Sequence, residues 1–273
     1  MISRLTDQGV EVFDACLDLA GAFEIPEPDA YAVAPSLDRL IYTTGAAAIC
    51  VDAGNRELWR FPIPAEDQGD PADCTFSGDG THVWLYIAPD QWLALDAGTG
   101  EVRTRHTLGT DGHGGQQIAF PDGEHMMLDT GSRTFHAGPA TELRTCPWDD
   151  RSVIAVAPDA HLLMTVAHDQ EDVSFHEVPD GEAKVTVRVA DFDEVPDTAG
   201  IEWTGGFLDQ DTAVVVLSWE NGGEARWRHY RVDVHTGEVI GDLGIVTIDQ
   251  YDLQPLGDGT YVITDTDGTL RRM

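Results

Sequence analysis

Lysine is almost absent from this chain. Lys184 stands alone, and the 16 basic residues face 49 Asp and Glu, for a formal net charge of −33. Such a surface repels phosphate backbones and anionic lipid headgroups, which excludes nucleic acid and membrane surfaces as expected partners. Cysteine is scarce too. Cys16, Cys50, Cys74 and Cys146 are widely spaced and form no C-x-x-C pair, so the usual zinc site is not encoded. They read as buried, reduced thiols. No apolar run approaches the eighteen residues of a membrane span. The first nineteen residues lack a basic-then-apolar leader pattern, since Asp7, Glu11 and Asp14 interrupt them. The expected compartment is therefore the cytoplasm. Two catalytic signatures are missing as well: no G-x-S-x-G elbow, and no glycine-rich phosphate loop leading into a helix.

What is present is a repeat. An apolar strand, a turn built on Asp, a second apolar strand and a third recur six times. The turn residues are Asp38, Asp79, Asp122, Asp159, Asp209 and Asp258, with gaps of 41, 43, 37, 50 and 49 residues. A period in the forties made of short strands is the mark of a β-propeller. One blade cannot bury both its faces, so 273 residues of this pattern predict a single stacked domain. At 42% hydrophobic residues the chain has the means to build that core.

The predicted fold is thus all-β: six blades of four antiparallel strands, with seven as the alternative. The blades are expected near 31–63, 74–108, 117–146, 153–190, 204–243 and 251–273. The last of these stops short of a fourth strand. The stretch 10–25 resembles the second half of a repeat. It is expected to complete the final blade and close the ring, removing two open sheet edges. The fifth repeat carries an insertion, "SWENGGEA", between its second and third strands. Trp59, Trp84 and Trp92 fall on strands and read as core.

The turns "FSGDG", "AFPDGE" and "AVAPDA" and the tails "ALDAGTGEV" and "RVDVHTGEV" resemble those of the YVTN, WD40-like and quinoprotein-like propeller superfamily. The resemblance runs along nearly the whole chain, as repeat grammar. The Trp-Asp dipeptide that closes a WD40 repeat is absent from the matching strands, and so is the Trp-rich docking motif of quinoproteins. The resemblance implies a fold and says little of activity.

In a propeller, the loops leading into the first strands and those joining second to third strands share one face. Sites gather there because loops vary while blades stay rigid. On this chain those loops carry His113, Trp148, Asp149, Asp150, Arg151, His168, Asp169, Asp193, Glu194, Trp203, Trp219 and Glu220. Two readings follow. The first is a non-catalytic binding or scaffold module. Arg151, Asp169, Asp193, Trp148, Trp203, Trp219 and Glu220 would meet a protein or small-molecule ligand. The second is a lyase, cyclase or hydrolase. His113 or His168 would exchange protons with Asp149, Asp150 or Glu194, since imidazole titrates near neutrality. Carboxylates of this density admit a divalent Ca or Mg ion, although no cofactor is predicted. "DTDGT" at 265–269 hints at a calcium loop but lacks the closing Glu. Set against all of this, Asp and Gly are the commonest turn residues. "ARWRHYRV" (225–232) is the one cationic stretch. It reads either as a protein-docking edge or as a solvated strand paired to carboxylates.

Overall fold

A computed structural model describes residues 2–65, 67, 72–112, 114–148, 150–178, 181–265 and 267–273. Among them the one helical segment is a single 3-10 turn, Val189–Asp191. Everything else regular is strand. The strands form seven antiparallel meanders. Five have four strands and span 30–62, 72–107, 116–145, 151–188 and 200–242. Two have three strands and span 2–23 and 253–272. In chain order these are blades 1 to 7. Contacts divide them into two compact units, Met1–Asp149 with blades 1 to 4 and Asp150–Met273 with blades 5 to 7.

The count is seven and not six. The added blade is the first: Ile2–Thr6 pairs with Gly9–Phe13, which pairs with Leu19–Phe23. The sequence "ISRLT" hid this strand, because polar residues break its apolar run. The N-terminal strands therefore pair with one another, and Leu253–Pro255, Tyr261–Thr264 and Leu270–Arg272 form a separate sheet. Among the described residues the strands of 10–25 and of 251–273 belong to different sheets, so the shared final blade expected from them is not confirmed.

The recurring Asp has a local cause. At five of the six positions its carboxylate accepts hydrogen bonds from backbone N–H groups two or three residues on, which closes the hairpin turn, while Asp38 instead accepts from the Ser36 hydroxyl and Arg39. Asp79 receives Thr81 N at 2.9 Å, Asp122 receives Glu124 N at 2.9 Å, and Asp159 receives His161 N at 3.0 Å. Asp209 and Asp258 repeat the pattern with Asp211 N and Thr260 N. The Asp of each "DAGTG-like" tail works the same way: Asp96 caps Gly98 and Thr99, and Asp233 caps His235 and Thr236. Arg103 adds an ion pair to Asp96 and, with these donors, holds its carboxyl at about 2. The repeat signature is thus a folding device.

Within each unit the core lies between successive blades, whose facing sheet surfaces are apolar. Val10, Val12 and Phe23 of blade 1 meet Leu40, Tyr42 and Ile49 of blade 2. Met164, Val166 and Phe175 of blade 5 meet Phe207, Val215 and Leu217 of blade 6. Trp84 and Trp92 are fully buried with ring centroids 4.5 Å apart, and Trp59 donates its indole N–H to Ala97 O at 3.0 Å. All three tryptophans sit in the core, as expected.

The "SWENGGEA" insertion is no loop. Thr212–Asn221 and Glu224–Asp233 pair in unbroken register through Asn221 and Glu224. Gly222 and Gly223 make the two-residue turn, with φ of +65° and +82°. Side-chain-bearing residues resist those angles, so "NGGE" is a hairpin signal that lengthens both strands.

Candidate functional site

The 150–273 unit holds a cleft of about 600 Å³. One wall is the turn between the second and third strands of blade 5, residues 169–172. The other is a strap, residues 188–199, that follows the blade's fourth strand, Ala183–Arg188. Backbone bonds pin the strap at both ends. Val189 N donates to Glu171 O at 3.0 Å, and Ile201 N donates to Gln170 O at 2.9 Å. Its back rests on the third strand of blade 6. Phe192 meets Tyr230 edge-on at 5.0 Å, Tyr230 donates its hydroxyl to Asp193 O at 3.1 Å, and Arg228 pairs with Glu194 at 3.2 Å. A strap held at five points is a preorganised wall.

Phe192, Val189 and Val195 supply the buried and half-buried apolar part of the cleft lining, and Asp169, Glu171 and Asp197 are exposed carboxylates of the same lining. Among the described residues, the side chains of Glu171 and Asp197 make no ion pair. Asp169 accepts Glu171 N at 3.1 Å, which fixes the turn. Arg188 is the cation of the lining. Asp172 also reaches the cleft, but its charge is matched by Arg151 at 2.6 Å.

Among the described residues, the anticipated side chains make different contacts. Asp169 lines the cleft. Asp193 and Glu194 lie in the strap but bond away from the cavity, toward blade 6. Glu194 gives its carboxylate to Arg228. Asp150 and His168 are exposed and joined through backbone alone, His168 N to Asp150 O at 2.9 Å. Arg151 is a structural group, 12% exposed, bonded to Thr165 and Asp172. Trp148, in the other unit, is 8% exposed. Trp203 is 40% exposed on the first strand of blade 6. Trp219 and Glu220 lie on the extended hairpin, opposite Arg226 and Ala225. His113 and Asp149 fall outside the described residues.

Other expectations resolve locally. Asp265 pairs with Arg271 at 2.6 Å and Asp267 caps Thr269 N at 2.9 Å, so both acids of "DTDGT" have local partners. Among the described residues no group of three or more His, Cys, Asp or Glu is placed to hold a metal. In the cationic strand, Arg226 pairs with Glu224 and Arg228 with Glu194, as a solvated strand would. Cys50 and Cys74 are buried, and burial raises Cys50 to about 12 and Cys74 further, so neither is a thiolate at neutral pH. Cys16 is exposed, contrary to the reading of four buried thiols.

No family model matches the sequence, and no curated protein does. Solved structures match along the whole chain. The computationally designed Ika8 protein is 15% identical, with a TM-score of 0.67, over 97% of this chain and 77% of that one. BamB from Moraxella catarrhalis is 11% identical, with a TM-score of 0.58, over 100% of this chain and 87% of that one. The fold is a β-propeller. At such identities the likeness extends to architecture alone. No helix among the described residues is long and apolar enough to cross a membrane.

Sequence reasoning missed two carboxylates. Glu202 is buried and accepts hydrogen bonds from the hydroxyls of Ser218 and, at 3.0 Å, Tyr251. Asp73 sits on the first strand of blade 3, where burial lifts its carboxyl to about 6. Neither carries a local motif. Each is marked only as an acid inside an apolar strand, "GIEWTGGF" and "ADCTF".

Proposed function

We propose that this protein is a non-catalytic binding module whose cleft in the 150–273 unit takes a basic segment of a partner protein. One observation carries the reading: three exposed carboxylates, Asp169, Glu171 and Asp197, line a cleft of about 600 Å³ together with Phe192, Val189 and Val195, beside a pinned strap. That volume is within the range of ligand sites. The chemistry suits a side chain with an apolar stem and a cationic head, as Arg and Lys have. The chain's net charge of −33 steers such a partner inward.

The test uses a fluorescent peptide alternating Arg with Val, followed by anisotropy at near-physiological salt. The triple variant Asp169→Asn, Glu171→Gln, Asp197→Asn is expected to bind about ten- to thirtyfold more weakly, at a fraction of a kcal/mol or more per rim charge. A control triple, Asp7→Asn, Glu27→Gln, Glu142→Gln, removes the same charge from other exposed positions. It should change affinity by less than about twofold. Equal losses in the two triples would reduce the cleft to bulk charge and end the proposal.

A further inference from the structure

A second cavity, about 240 Å³, lies wholly within the other unit, where the first strands of blades 2 and 3 meet blade 4. Its lining is Asp29, Ala30, Ala72, Asp73, Tyr86 and Gly115. Three features mark it as built. First, the Asp73 carboxylate is oriented by a relay. Trp92, fully buried, donates its indole N–H to Gln117 Oε1 at 2.9 Å, and Gln117 Nε2 donates to Asp73 Oδ2 at 2.8 Å. Second, Tyr86 stands directly across the strand pair from Asp73. Its hydroxyl is committed to the carbonyls of Gly112 and Pro89, at 2.8 and 3.0 Å, so the ring is a fixed wall. Third, Gly115 leaves the space open. A Cβ there would stand 3.1 Å from both Asp73 Cβ and Tyr86 Cδ1. The strand walls are themselves tied together, since Thr43 donates its hydroxyl to Ala72 O at 2.9 Å and accepts Ala30 N at 3.1 Å.

We propose that this cavity binds a small organic ammonium ion, with Asp73 as counter-ion, Tyr86 as aromatic wall, the two alanines as apolar sides and Asp29 at the mouth. A carboxylate beside an aromatic ring is the usual solution for an alkylated cation. The space equals about eight water volumes, enough for a short alkylammonium. A Ca²⁺ ion would want about six or more oxygen ligands, and the alanine and tyrosine sides offer none. The site is independent of the cleft and does not rest on it.

Ammonium binding requires Asp73 ionised. The titratable groups that share the cavity with it are Asp29 and Tyr86, and burial raises Tyr86 well above neutrality, while the Cys74 thiol on the opposite face of the strand is likewise raised. Asp73, raised to about 6, therefore sets the pH dependence, and affinity should fall as the pH drops through that value.

The experiment is titration of the full chain with tetramethylammonium and n-butylammonium chloride at fixed ionic strength, followed by calorimetry and NMR. Saturable one-to-one binding at pH 7.5 is expected, with potassium ion ineffective. Asp73→Asn keeps an acceptor for Gln117 and should weaken binding at least tenfold, as should a shift to pH 5. Gly115→Ala, which partly fills the cavity, should weaken it similarly. If Asp73→Asn fails to fold, Gly115→Ala and the pH series decide. Non-saturable uptake, or affinity unchanged in the folded variants, overturns the proposal.

Discussion

Replacing Arg151 with methionine is expected to lower the unfolding free energy by about 2–4 kcal/mol, the usual cost of removing one partner from a largely buried ion pair. The side chain spans three strands of blade 5. Its Nε donates to Thr165 Oγ1 at 2.7 Å and a terminal nitrogen pairs with Asp172 at 2.6 Å. The network continues inward. His176 Nδ1 donates to Gly181 O at 2.9 Å, so Nε2 is the acceptor and takes the Thr165 hydroxyl proton at 2.8 Å. Burial lowers the His176 pKa and keeps the ring neutral in this role. Asp172 also receives Ser174, which bonds Thr186 on the fourth strand. Without the guanidinium, Asp172 keeps its charge in a half-buried place and Thr165 loses a donor. Urea unfolding measures the loss. The double variant with Asp172→Asn should cost about 1 kcal/mol or more less than the two single losses combined, because the groups act together. A loss under about 0.5 kcal/mol would show that the network carries no stability.

Asp73→Asn is expected to have the opposite sign. The native carboxyl sits near 6, about two units above its ordinary value, because burial disfavours its charge. Between about pH 4 and 6 the folded state holds a proton there that the unfolded chain has released. Stability therefore falls as the pH rises through that window and stays low above it. Two units correspond to about 3 kcal/mol. Asparagine carries no charge to desolvate and still accepts from Gln117. The variant should gain up to about 3 kcal/mol at pH 8, show little gain at pH 4, and lose the slope between. Thermal melts across that range test it. A destabilised variant at pH 8 would mean that the ionised carboxylate is favourable where it lies. A stability cost retained at one position is a common mark of a group kept for binding.

These results bear on what a sequence discloses. The repeating Asp was legible because its chemistry is local: at five of its six positions the carboxylate caps a backbone N–H two residues on and closes the same turn. Strand identity was legible for the same reason, since apolar runs between such turns have one stable use. The first blade was obscured because "ISRLT" is a mixed, half-exposed strand without that Asp turn. Arg151, Trp148 and Glu194 looked like loop ligands by position. Asp172 and Arg228, the partners of Arg151 and Glu194, come from elsewhere in the chain, and periodicity is silent about them and about the burial of Trp148. Asp73 and Glu202 were missed for the converse reason, since one acid in an apolar strand reads the same whether it meets solvent, a hydroxyl or a cavity.

The sequence by itself determined the strand-and-turn grammar, the acidity and hence the sign of charge a partner should carry, because these follow from neighbours along the chain. The tertiary structure alone decided that there are seven sheets and that the strap is pinned. It also decided which carboxylates are spent on arginines and which face a cavity. Those outcomes depend on distances between residues tens of positions apart, such as Gln117 from Asp73 and Arg228 from Glu194, which are fixed only when the sheets pack.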